Sequence, residues 1–277
     1  MRLLELTSDV VFKAFMLSNK NNLYKAKLLS VITKIPEKEF LKASYQSVEL
    51  PISSVSDKIY KTDIIVKISN HIINIEMNRD YYRGLFTKNS MYYNKLKSED
   101  LDVGESYIYV KKIIQINFDN FSKYNGNKLI YKFKMLEVNT YEEEYENEVE
   151  SYHIDLAYLN NKCYNELNNE EKIIYLFHEK EIDKMRSENF MNEAIDEIER
   201  ISNDKKIIGL YDKEAVEKKI LNSRLIEAKE EGENLGEKKK IKEIALNMID
   251  MGMDDNTIIK SLNISIDDLN NIKENRF

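Results

Sequence analysis

Residues 60–79 read YKTDIIVKISNHIINIEMNR, and the way this stretch pairs with itself organises the rest of the chain. Ile64, Val66 and Ile68 alternate before a turn, and Ile73, Ile75 and Met77 alternate after it. A period of two marks half-buried strands. Ser69-Asn70 supplies a two-residue hairpin loop, because Asn tolerates the left-handed backbone such turns need. That loop predicts a register: Ile68 opposite His71, Val66 opposite Ile73, Ile64 opposite Ile75, and Asp63 opposite Glu76. Opposed residues of an antiparallel pair point to one face, with Cβ atoms about 4.5–5.5 Å apart. Asn78, two residues beyond Glu76, lies on the same face. The other face is almost wholly aliphatic.

Two carboxylates thus stand side by side at the end of an apolar hairpin. Directly opposed like charges destabilise a sheet, and a divalent cation between them reverses that penalty. Hard cations such as Mg²⁺ are held by one or two carboxylates plus water and substrate phosphate. One reading of Asp63 and Glu76 is therefore a metal-dependent phosphodiesterase site. The other is a solvated sheet edge without chemistry, and a one-residue slip would part the pair onto opposite faces.

With 277 residues, the chain is long enough for one large domain or one domain with an appendage. Gly (7) and Pro (2) are scarce, so helices should run long. The net charge of −7 does not advertise nucleic-acid binding. Six acids fall in 141–150, YEEEYENEVE, however, and the remainder is nearly neutral, which leaves room for a local basic groove. A single cysteine, Cys163, excludes an internal disulfide, and His71, His153 and His178 lack zinc-ligand spacing. Glu5 and Asp9 interrupt any signal-like apolar run, and no stretch approaches 18 apolar residues. The expectation is a cytoplasmic protein with no membrane span.

Thr7 or Ser8 can cap a first helix with Asp9 in its first turn and Lys13 one turn on. A second helix covers 21–34, and 47–53 (SVELPIS) reads as an edge strand. Residues 80–97 form a tyrosine-rich helix with Arg79, Arg83, Lys88, Lys95 and Lys97, able to neutralise a phosphate backbone or simply to pack its tyrosines on the sheet. Strands are expected at 107–118, 129–139 and 151–158, with His153 a partly buried structural histidine. Beyond residue 167 the chain reads as helical, at 170–179, 185–200, 205–231 and 238–250, with Gly232 and Gly236 as punctuation. Val216, Ile220, Leu225 and Ala228 are too sparse for a deep core, so the charged helix is solvent-exposed or self-associating. Two short helices around Asn263-Ile264, capped by Asp254, Asp255 and Ser265, have helix-turn-helix-like spacing. Asp267 and Asp268 would repel phosphate at the end that reads bases, so packing or partner binding is favoured there.

Asp63, a turn, and Ile-Glu-Met-Asn at 75–78 resemble the core motif of the PD-(D/E)XK nuclease superfamily, and more closely its transposase branch, the recombination-promoting nucleases. SDVVFKAF at 8–15, Tyr82-Arg83, Tyr92-Tyr93, IIQINF at 113–118 and the terminal IIKSLNIS are similar to that branch as well. The resemblance implies an α/β fold, a mixed central sheet flanked by helices (a restriction-endonuclease-like core), with an all-helical C-terminal extension. It implies three segments: a nuclease-like domain at 1–160, a helical extension at 161–237 and a small helix-turn-helix-like segment at 238–277. It further implies a Mg²⁺- or Mn²⁺-dependent endonuclease acting on DNA, with Asp63 and Glu76 as metal ligands and Asn78 holding the attacking water. Asp9 would be an auxiliary acid, and Arg83, Tyr93 and Lys13 substrate contacts. Self-association would run through the C-terminal helices. Asn78 departs from the Lys of the superfamily and the Gln common in the branch, and Thr62 stands where the superfamily has Pro. Arg79 or Lys67 are candidates for the missing cation. The rival reading is an inactive nuclease-like binding or assembly protein, and a weaker third is a structural helical adaptor.

Overall fold

The computed structural model of the protein describes residues 3–47, 49, 50, 60, 61, 63–100, 104, 106–125, 127–142, 149–178, 181–186 and 188–274. In order, the elements are α1 (Asp9–Leu17), α2 (Asn22–Thr33), α3 (Glu37–Phe40), β1 (Ser44–Gln46), β2 (Glu49–Leu50), β3 (Tyr60–Lys61), β4 (Ile64–Ile68), β5 (His71–Asn78) and α4 (Leu85–Glu99). There follow β6 (Lys112–Asp119), β7 (Ile130–Phe133), β8 (Glu150–Asp155), α5 (Asn169–Ile174), α6 (Ile182–Met185), α7 (Asn189–Ser202), α8 (Lys205–Asp250), α9 (Asp255–Leu262) and α10 (Ile266–Glu274).

Six strands form one mixed sheet in the order β1-β4-β5-β6-β8-β7. Its centre is the β4–β5 hairpin in the expected register, with Ile64 opposite Ile75, Val66 opposite Ile73 and Ile68 opposite His71. Parallel pairing then adds β6 to β5 and β8 to β6, with α4 as the crossover between β5 and β6. β1 and β7 close the two edges antiparallel.

The two faces of the sheet differ in chemistry. Ile64, Val66, Ile73, Ile75, Ile114, Ile116, Phe118 and Ile154 bury one face against Val11 and Phe12 of α1, Leu28 and Leu29 of α2, Ile173 of α5 and Ile195 and Ile198 of α7. Phe118 stacks on Phe177 with centroids 4.7 Å apart. Ile65, Ile72 and Ile113 meet Leu96 of α4 on the other face. There the alternate residues of three strands are polar and mostly buried: Asn74, Glu76 and Asn78 on β5, Gln115, Asn117 and Asp119 on β6, and Ser151, His153 and Asp155 on β8.

Residues 1–212 form one compact unit and 213–277 a second. The expected boundary at 160 therefore falls inside the first, because α5 and α7 bury their apolar faces in the same core as the sheet. The Tyr24 hydroxyl of α2 is fully buried and donates to the Ile173 carbonyl of α5 at 2.8 Å. Tyr24→Phe strands that carbonyl in an apolar setting, so urea unfolding should show about 1–2 kcal/mol less stability with an unchanged m value.

Several boundaries differ from the sequence reading: β7 stops at Phe133 rather than at 139, and β8 stops at Asp155, where a 3₁₀ turn takes over 156–159. Residues 107–109 are a 3₁₀ turn, and β6 begins only at Lys112, because its partner β5 begins at His71. α4 begins at Leu85, since Gly84 takes φ +95° and breaks the chain direction just before it. α8 continues through Gly232 and Gly236; each glycine costs a helix only about 1 kcal/mol against Ala, and the Lys-, Glu- and Leu-rich neighbours outweigh that. The edge-strand reading at 47–53 and the acidic run at 141–150 lie largely outside the described residues, as does Thr62. In the second unit, Ala245, Ile258 and Leu269 form a small core. The Asp254 carboxylate caps α9 by accepting from Thr257 N at 3.1 Å, and Ser265 Oγ caps α10 by accepting from Asp268 N at 3.0 Å. Val216, Ile220 and Leu225 are exposed on α8. Among the described residues no helix is long and apolar enough to cross a membrane.

Candidate active site

Asp63 sits in the bend that opens β4, and Glu76 lies two residues before the end of β5. Each carboxylate accepts from a main-chain amide of the other's strand segment. Asp63 N donates to Glu76 Oε1 at 3.3 Å, and Met77 N donates to Asp63 Oδ2 at 2.9 Å. Both carboxylates are buried, Glu76 at 2 % exposure. The hairpin thus turns two acids inward at one point, and the solvated-edge reading does not describe them.

One oxygen of each carboxylate meets a lysine from a flanking helix. Lys13 Nζ of α1 lies 3.0 Å from Asp63 Oδ1 and 3.0 Å from Asp9 Oδ1, bridging the two acids. Lys88 Nζ of α4 lies 3.5 Å from Glu76 Oε2 and 5.0 Å from the Tyr92 ring centroid. Three carboxylates therefore face two ammonium groups. Burial, and then the neighbouring Asp9, raise the Asp63 carboxyl above its usual value against the opposing pull of Lys13. Burial and then Asp63 push Glu76 up to about 8, with Lys88 opposing. Burial draws both lysines down, but the facing carboxylates outweigh it and leave each above the ordinary lysine value.

Glu76 is also the first member of a polar chain running across the sheet. Parallel register aligns Asn74 with Gln115 and Ser151, Glu76 with Asn117 and His153, and Asn78 with Asp119 and Asp155. Asn74 Nδ2 donates to Glu76 Oε1 at 3.3 Å and to Gln115 Oε1 at 2.8 Å. Gln115 Nε2 donates to Asn117 Oδ1 at 2.9 Å, and Asn117 Nδ2 lies 3.3 Å from His153 Nε2. His153 Nδ1 lies 2.7 Å from Asp119 Oδ2, and Asn78 Nδ2 donates to Asp119 Oδ1 at 2.7 Å. The amide donors assign the histidine proton to Nδ1 and its lone pair to Nε2. Burial raises the Asp119 carboxyl, and the His153 hydrogen bond holds it back.

Of the residues singled out from the sequence, Asp63, Glu76, Lys13 and Asp9 converge. Asn78 is buried near them, but its amide nitrogen is taken by Asp119. Arg83 is exposed in the turn before α4. Tyr93 packs beside Leu96 on the polar face. Neither candidate for the missing cation reaches the carboxylates in this structure: Arg79 pairs with Glu5 at 3.3 Å, and Lys67 is exposed on β4. Lys88 is the lysine that faces Glu76, and it reaches in from the helix rather than from the strand. His153 is buried and hydrogen-bonded, as expected of a structural histidine, yet it belongs to the chain that begins at Glu76. Sequence reasoning passed over Asn74, Gln115, Asn117 and Asp119, although N-x-E-x-N, Q-x-N-x-D and S-x-H-x-D at alternate positions of apolar strands are a legible signal.

The donor set suits a hard divalent cation. Two carboxylates with raised pKa values and an excess of negative charge call for a cation, and water and phosphate oxygens complete such a shell. Asn74 Oδ1, buried beside Glu76, has no hydrogen-bond partner among the described residues. A protein-only metal cage is absent among the described residues, where no group of three or more His, Cys, Asp or Glu is arranged to hold an ion.

No curated protein matches the chain. The family model for PD-(D/E)XK nuclease family transposase matches residues 6–228. The hairpin bearing Asp63 and Glu76 falls within that span, and the chain belongs to the PD-(D/E)XK nuclease family transposases.

Proposed function

We propose that the protein is a divalent-metal-dependent DNA endonuclease of the transposase-like branch, hydrolysing phosphodiester bonds in a way that can promote recombination. The observation that carries this reading is the buried Asp63–Glu76 pair with raised proton affinities, within a chain of a nuclease family. Asp63 and Glu76 would hold Mg²⁺ or Mn²⁺, which when bound acidifies a water and stabilises charge on phosphate. Lys88 supplies the positive charge that the strand position of Asn78 lacks. It opposes the rise in proton affinity at Glu76 and offers an ammonium to the charge that develops at the phosphate. Lys13 does the same for Asp63, and Asp9 keeps Lys13 in place. Asn78 orients the attacking water through its carbonyl oxygen, since its amide nitrogen is engaged by Asp119. Arg83, exposed in the turn before α4, contacts the phosphate backbone. Self-association through α8 would cover its exposed Val216, Ile220 and Leu225.

The test is nicking of supercoiled plasmid by the purified full-length chain in Mg²⁺, Mn²⁺ or EDTA, with Asp63→Ala and Glu76→Ala alongside. Cleavage that needs metal and both carboxylates supports the proposal. Equal cleavage by all three proteins refutes it, and no cleavage by any of them transfers the reading to an inactive nuclease-like binding protein. Lys88→Met should lower the nicking rate by about 100-fold, and Lys88→Arg should recover part of that loss. An unchanged rate in Lys88→Met would remove the lysine from the mechanism.

A further inference from the structure

Beside the carboxylate pair, on the same face of the sheet, lies a pocket of about 210 Å³ lined in part by Phe86, Asn89, Asn117, Tyr124, Phe133 and His153. It is smaller than the roughly 300 Å³ at which drug-sized ligand sites begin, a volume suited to a single planar ring system. Its walls are aromatic. Phe86, Tyr124 and Phe133 surround the His153 ring at centroid distances of 4.6, 5.6 and 5.6 Å. The loop that carries Tyr124 is anchored, because the Tyr131 hydroxyl donates to the Tyr124 carbonyl and lies 3.0 Å from the Asn127 side-chain amide.

Its polar lining holds one open valence. Asn89 of α4 is 3 % exposed, and its Nδ2 donates to Asn117 Oδ1 at 2.7 Å. Its Oδ1 is buried with no hydrogen-bond partner among the described residues. Reversing the amide would set two oxygens against each other at Asn117, which already accepts from Gln115, so the network fixes Oδ1 as the unpaired acceptor. A buried acceptor left unmatched is unfavourable, and a ligand that brings an N–H removes that cost. Cations flank the aromatic wall: Lys123 Nζ lies over Tyr81 at 4.4 Å and Lys128 Nζ over Tyr131 at 4.7 Å.

We propose that this pocket receives one unstacked nucleobase of the nucleic acid, its ring against Phe86, Tyr124 and Phe133 and an N–H of its polar edge on Asn89 Oδ1. A planar heterocycle carrying both a π face and an N–H, with phosphates on either side for Lys123 and Lys128, matches all three features together. The inference rests on the nuclease reading for the identity of the ligand. It adds that substrate is gripped through a base as well as through phosphates, so single-stranded or distorted sites are preferred over an intact duplex.

The experiment compares binding of the full-length protein in EDTA to a short single-stranded oligodeoxynucleotide and to an equally long, equally charged tetrahydrofuran oligomer without bases. Wild type should bind the base-bearing strand on the order of tenfold more tightly. Phe133→Ala and Asn89→Leu should erase that preference while leaving affinity for the abasic oligomer unchanged. Phe133 is 41 % exposed, and its variant guards against loss of fold in Asn89→Leu. Equal affinity of wild type for the two oligomers, or a preference that survives in both variants, would overturn the proposal. Plasmid nicking in Mg²⁺ separates this failure from that of the nuclease reading. Cleavage without base preference sinks the pocket alone, and base preference without cleavage sinks the nuclease alone.

Discussion

Glu76→Ala and Asp63→Ala should each reduce metal-dependent plasmid nicking by on the order of 10³-fold or more, while far-UV circular dichroism stays unchanged. The size follows from the arrangement. Each acid is one half of a two-carboxylate donor set, so losing either removes a charge that no other acid in contact replaces. Asp9 is the nearest substitute by its influence on Asp63, but its carboxylate is engaged by Lys13 at 3.0 Å and half-exposed. The fold should tolerate both changes, because the hairpin register is set by Ile64, Val66, Ile73 and Ile75 on the opposite face. A variant that cleaves within about tenfold of wild type would place the metal elsewhere. Asp9→Ala should have a much smaller effect, since Asp9 meets Asp63 through the shared Lys13 and by its charge and is not one of the paired carboxylates.

Without metal, the protein should lose stability as pH rises from about 4.5 to about 8, and Glu76→Gln should flatten that slope. Glu76 has its carboxyl pushed up to about 8 by burial and by Asp63, against an ordinary value of 4.5. Between those values the folded chain keeps a proton that the unfolded chain releases, so unfolding is favoured by rising pH. Stability is therefore full below 4.5, falls through the window and levels above 8. The loss is on the order of a few kcal/mol, and Asp63 adds to it in the same direction. Mg²⁺ should recover the loss at pH 8, because an ion in place of the proton meets the same unbalanced charge. Thermal melting in EDTA and in Mg²⁺ across this range, for wild type and Glu76→Gln, checks the sign. A melting temperature that climbs from pH 5 to 8 without metal would contradict it. The same charge imbalance that would draw a metal to the pair makes the metal-free protein weaker.

The hairpin was readable because its determinants are local. Ser69-Asn70 and the alternation of Ile64, Val66, Ile73 and Ile75 leave one register in which all the apolar side chains share a face, and that register brings Asp63 opposite Glu76. The caps at Asp254 and Ser265 were legible for the same reason, since each bonds an amide three residues away. The family likeness rests on such short segments, which explains why it could be recognised before the sheet was known.

Strand order and helix placement are not local, and they decided the rest. Whether β6 lies beside β5, and in which register, depends on the α4 crossover and on a core shared by residues more than a hundred positions apart. Only that pairing sets Asn117 and His153 in line with Glu76. The cation came from Lys88 rather than from Arg79 or Lys67 because reach to a buried carboxylate is fixed by how α4 lies over the sheet, and not by distance along the chain. The sequence by itself determined the carboxylate pair, through turn chemistry and a period of two. The tertiary structure decided which ammonium groups face that pair and which polar side chains extend from it, because those contacts join segments whose separation in sequence carries no information about their separation in space.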